Sequence, residues 1–114
     1  MYKLVAYDVS IELLGELRTV VPVIAREDRA LGDQLRRAAS SVSLNLAEGA
    51  RSLGGNKMKH YWIAQGSAAE VKAALMSAIA WGHLEQDAPA WRVLDRLLAL
   101  LWGLTHPKRA ELAA

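Results

Sequence analysis

The chain has no cysteine and no phenylalanine, and only three of its 114 residues are proline. Without cysteine there is no disulfide frame, no thiolate metal ligand and no thiol nucleophile. The absence also fits a reducing compartment. Scarce proline, with 53% hydrophobic residues drawn mostly from Leu, Ala and Val, argues against a sandwich or barrel and for helices. Long apolar runs are missing too. The longest, Leu97 to Leu104, falls far short of the roughly 20 residues that cross a bilayer. Met1 to Asp8 lacks the apolar length of a signal peptide, so a soluble, cytoplasmic protein is expected. No strand-like alternation, internal repeat or low-complexity tract is present, and the length suits one domain over 1–114 with one core.

Charge is nearly balanced at a net +2, but it is unevenly placed. Residues 1–28 carry three basic and five acidic side chains, and 61–114 carry five of each. Between them, six basic residues (Arg29, Arg36, Arg37, Arg51, Lys57 and Lys59) face only Asp33 and Glu48. This middle segment holds the positive field. Such a field attracts phosphate-rich partners and is screened by salt.

The hydrophobic spacing predicts four helices, at about 8–26, 31–49, 56–83 and 88–105, followed by a frayed tail over 106–114. In the first, Leu13, Leu17, Val20 and Ile24 recur at helical intervals from a start capped by Asp8. Pro22 is expected to kink that helix without ending it, because Ile24 keeps the phase. The second should end at Gly49 as its C′ residue, and Ser52 to Asn56, with two adjacent glycines, reads as a mobile loop. The third shows a seam of Ala64, Ala68, Val71, Leu75, Ala78 and Gly82. Asp87 is expected to cap the fourth, with Pro89 in its first turn and Trp91, Leu94, Leu98 and Leu101 inward. Short connections between four helices imply an all-α, up-and-down antiparallel bundle.

Helix four then has more apolar surface than one core needs. Leu97, Leu98, Leu100, Leu101, Trp102 and Leu104 surround most of it, whereas a core-facing stripe covers only about a third. Trp81, Leu97, Leu100, Trp102 and Leu104 are therefore expected to form a surface for sister copies.

Three stretches carry a family likeness: Gln34-Leu-Arg-Arg-Ala-Ala-Ser-Ser-Val, then Asn45-Leu-Ala-Glu-Gly49 with Arg51, then Ala64-Gln-Gly-Ser-Ala-Ala-Glu70. In this order and separation the chain resembles the bacterial four-helix bundle proteins first associated with intervening sequences of 23S ribosomal RNA genes. The likeness runs from about Ile11 to Trp102. It implies an up-and-down bundle that assembles into homo-oligomeric rings of five. It also implies kinship with accessory proteins of diversity-generating retroelements, which look like basic pentamers that bind a reverse transcriptase and RNA or DNA. This chain departs from that branch in its mild charge.

Two sets of residues stand out as candidate sites. Asn45 and Glu48 on helix two could meet Ser67 and Glu70 on helix three, either as a structural polar cluster fixing helix register or as an acid–base pair. Arg29, Arg36, Arg37, Arg51, Lys57, Lys59 and His60 form a candidate nucleic-acid face with Tyr61 and Trp62 beside it, or simply a solvated surface in which Arg37 pairs with Asp33. No metal or cofactor is expected: Glu48 and Glu70 are followed at three residues by Arg51 and Ala73 rather than His, and His60, His83 and His106 are dispersed. No small-molecule substrate or catalytic constellation is expected either, so the chain reads as non-enzymatic.

Overall fold

A computed structural model describes residues 4–108, and these form four helices: α1 (Val5–Glu27), α2 (Arg29–Arg51), α3 (Gly54–Ala80) and α4 (Ala90–Thr105). Each helix exists because one of its faces is apolar at helical spacing. Leu13, Leu17, Val20 and Ile24 of α1, Leu35, Ala39, Val42 and Leu46 of α2, Ala64, Ala68, Val71 and Leu75 of α3, and Leu94, Leu97 and Leu101 of α4 are all buried together. In sequence order the helices pack α1 on α2, α2 on α3 and α3 on α4, and α4 closes the ring against α1. The molecule measures 48 × 22 × 20 Å. A four-helix, all-α bundle is the fold expected from the sequence.

α4 ends at Thr105 as expected, and the other helix ends differ from expectation by one to three residues. α1 begins at Val5 rather than Asp8, because Leu4, Ala6 and Val9 are buried and packing extends the seam a turn earlier. Pro22 lies inside α1, and the helix continues to Glu27 with Ile24 beyond it fully buried. One residue, Asp28, joins α1 to α2. Its backbone N–H donates to the Ile24 carbonyl at 2.8 Å, closing α1, while its carboxylate accepts from the Leu31 N–H at 3.0 Å, opening α2. The same residue therefore ends one helix and starts the next. Gly32 makes the tight turn possible: a Cβ there would lie 2.7 Å from the Ala25 Cβ.

The glycines expected to break structure do otherwise. Gly49 is not a C′ residue, since α2 runs on to Arg51; it is buried where the Tyr61 ring packs, and a Cβ would come within 2.6 Å of that ring. The Ser52 to Asn56 loop shrinks to Ser52 and Leu53. Gly54 takes a φ of +55° and starts α3, so Gly55 and Asn56 are already helical. At the far end, Gly82 is not part of the α3 seam but follows it with φ of +81°, and the Gly82 N–H→Ile79 and His83 N–H→Ala78 bonds complete a Schellman stop. Pro89 takes the N-cap position of α4 and no side chain caps it, so Asp87 does not play the expected role. Of the expected tail, His106 caps α4, and 109–114 lie outside the described residues.

Candidate functional site

The α2–α3 interface carries a continuous polar strand through an otherwise apolar seam. Asn45 Oδ1 lies 3.0 Å from His60 Nδ1, and Asn45 Nδ2 donates to the Ser41 carbonyl at 2.9 Å and to Ser41 Oγ at 3.2 Å. Ser67 Oγ then donates to Ser41 Oγ at 2.8 Å. Because an amide oxygen only accepts, His60 Nδ1 carries the proton in this arrangement. Ser41 stands opposite Ser67, Asn45 opposite His60 and Gly49 opposite Tyr61, so the two helices run antiparallel in one defined register.

Two of the four residues expected in this cluster belong to it and two do not. Asn45 and Ser67 are linked through Ser41, but Glu48 and Glu70 are exposed. Glu48 instead pairs with Arg51 on its own helix at 2.5 Å. Glu70 borders a shallow groove with Asp33, Gln34 and Arg37. The carboxylates sit too far round their helices to enter the seam. Ser41 and His60, the partners that Asn45 does find, lie a turn before it and fifteen residues after it, a pairing that only the helix register reveals.

The expected basic face is a stripe rather than a patch. Arg29, Arg36, Arg37 and Arg51 are all exposed on α2, with Arg29 and Arg51 at opposite ends of a helix about 33 Å long. Arg36 shares the rim of an apolar groove between α1 and α2 with Arg18, whereas its neighbour Arg37 turns toward α3. At the α2–α3 end, Arg51 is joined by exposed Lys59 and by half-buried Lys57, whose ammonium lies 5.9 Å from the Tyr61 ring centroid. His60 is held inward by Asn45 and contributes to the seam more than to the stripe.

Helix four corrects the expected self-association surface. Leu97 is fully buried, because the inward phase is Leu94, Leu97, Leu101 and Thr105 rather than the phase through Leu98. Leu100 and Leu104 are half-buried against the core, while Trp81 and Trp102 remain 73% and 56% exposed. Exposed apolar area lies elsewhere as well, at Leu44, Leu53 and Met76. The groove between α1 and α2, of about 550 Å3, is floored by Ile11, Leu14, Val21, Pro22 and Ala39. Gly15 lines it with open space where a side chain would stand.

An aromatic cluster not anticipated in the sequence analysis joins α3 to the end of α4. Trp102 and His106 stack at 3.6 Å with planes 17° apart, and Trp62 of α3 meets His106 edge-on at 5.5 Å. Trp62, which the sequence marks only as a neighbour of the basic residues, is 48% exposed. A signal was available: it falls one position out of phase with buried Tyr61 and Ala64.

Among the described residues no three His, Cys, Asp or Glu side chains gather as a metal site would need, and no helix is long and apolar enough to cross a membrane. The family model for 23S rRNA-intervening sequence proteins matches residues 2–93. The chain belongs to that family. The match takes in α1, α2, α3 and the start of α4, and so covers the polar seam, the basic stripe and Trp62 of this intervening-sequence protein. Comparison with curated proteins gives no match.

Proposed function

We propose that this intervening-sequence protein is a non-enzymatic accessory bundle that assembles into a homo-oligomeric ring, of five copies by family likeness, and binds nucleic acid through the cations of α2 and the start of α3. The observation that carries the reading is the exposed arginine stripe. Arg29, Arg36, Arg37 and Arg51 project along one helix, and Lys59 extends them at the turn. Side chains of this kind bind phosphate without reading sequence, which suits a scaffold. A modest stripe repeated around a ring gains avidity with no new contact. The polar seam supports the structural half of the reading, because Asn45, Ser41, His60 and Ser67 satisfy one another and leave no carboxylate poised for proton transfer.

Binding of labelled RNA and DNA at several salt concentrations tests the proposal. Affinity is expected to fall steeply with salt, and Arg36→Gln with Arg37→Gln should flatten the slope by about 0.9 for every duplex phosphate these arginines neutralise. No binding at low salt would remove the nucleic-acid role. A second reading has its own support in the apolar α1–α2 groove and exposed Trp81: a protein-interaction module that touches no nucleic acid. It is favoured if a partner protein binds with an affinity indifferent to salt.

A further inference from the structure

We infer that Trp62, Trp102 and His106 form a stacking site for unpaired nucleic-acid bases, at the end of the bundle where α3 begins and α4 finishes. The inference rests on the nucleic-acid reading above and adds to it a preference for single strands. Trp102 is stacked on one face by His106 yet stays 56% exposed, so its other face is open to solvent. Trp62 meets the other ring of the stack, His106, edge-on with planes 66° apart, and is itself 48% exposed.

The rings are held rather than loose. His106 Nδ1 lies 3.0 Å from both the Trp102 carbonyl and Thr105 Oγ1, and buried Thr105 is tied to Gln65 on α3 as well as to the Leu101 carbonyl. Rings fixed in advance lose little freedom when a flat ligand stacks on them. Tryptophans packed for the core would be buried, and these are not.

Charge selects the ligand. The α3 segment 56–69 and the α4 segment 96–108, which supply all three rings, contain no Asp or Glu but do contain Lys57, Lys59, Arg96 and Lys108. Lys59 is exposed one turn before Trp62. Open aromatic faces with exposed Lys59 one turn away match the two chemical elements of a single strand, flat bases and a phosphate backbone. In a duplex the bases are already stacked, so only the backbone could be engaged.

The test compares a short labelled oligoadenylate RNA with an RNA duplex of the same length. Trp102→Leu and Trp62→Leu should each weaken oligoadenylate binding roughly five- to hundredfold and leave duplex binding unchanged. Trp102→Phe, which keeps an aromatic face, should restore most of the loss. Trp81→Leu, at the other end of α3, should change neither. Salt separates the contributions: the tryptophan variants should lower affinity at every salt concentration with the same slope, while Lys59→Ala should flatten the slope by about 0.7 for each single-strand phosphate that Lys59 neutralises. Equal binding by the Leu and Trp forms would overturn the stacking site while leaving the basic stripe in place. A changed particle mass in the Leu variants with unchanged RNA binding would overturn it as well, assigning the rings to contact between copies. Absence of binding to either RNA would overturn this site and the nucleic-acid reading together.

Discussion

At the scale of single residues, the glycines divide into those that hold helices together and those that merely interrupt them. A Cβ at Gly32 would meet the Ala25 Cβ at 2.7 Å and its backbone Cα at 2.9 Å, and backbone cannot step aside without moving a whole helix. Gly32→Ala is expected to cost about 1–3 kcal/mol by overpacking, despite alanine's better helix propensity. Gly103→Ala meets nothing within 4 Å and should gain roughly 0.5–1 kcal/mol. Denaturant midpoints moving in opposite directions, with unchanged slopes, would bear out the contrast. Sequence spacing located the central buried positions of α1 and α3, because each offers a single apolar phase there, but not Ala6, Val9 and Ser10 at the start of α1 or Tyr61 and Ala74 of α3. In α4 leucines occupy both sides of the helix, so Leu97 and Leu98 compete for the inward place, and only α1 and α3 decide between them. Buried Thr105 was not legible at all: its hydroxyl is satisfied by Leu101 and Gln65, and a polar residue carries no apolar signal.

At the scale of helices, the polar seam sets how α2 slides along α3. Asn45 bridges His60 and Ser41, so Asn45→Ala strips two half-buried groups of a partner and is expected to cost about 1–3 kcal/mol. Glu48→Gln and Glu70→Gln alter exposed positions and should stay within about 0.5 kcal/mol of the parent protein. Thermal or chemical melts of the three variants give the comparison directly. Those motif residues were legible as polar neighbours on facing helices, but their pairing was not. In an antiparallel pair, Ser67 lies level with Ser41 and not with Asn45, and spacing within one helix says nothing about its alignment with the next. The end of α4 at Thr105 was legible, but most other helix ends were misplaced by two or three residues for a similar reason, since Leu4 and Ala6 at one start and Gly54 at another are recruited by packing and turn geometry rather than by caps.

For the whole molecule, exposed Trp81 and the α1–α2 groove leave apolar area that one copy of the bundle does not cover. Sedimentation is expected to show a particle several times the 12.5 kDa of the chain. A single-copy mass at micromolar concentration would remove the ring from the proposed function. If the groove is part of the contact between copies, Gly15→Leu, which fills open space on a helix exterior, should lower that mass while leaving the helical content intact. The overall architecture was the most legible level of all, because four apolar stripes with short links admit few other arrangements. The Asp28 joint also bears on how many chains share one fold. A single non-helical residue is all that keeps α1 and α2 from merging into a continuous rod about 70 Å long. Such a rod could hide its stripe only by trading helices with another chain, so Asp28→Ala should shift material toward intertwined dimers that exchange slowly on dilution. With Gly32 allowing the close approach, the Asp28 cap favours a hairpin that closes within its own chain.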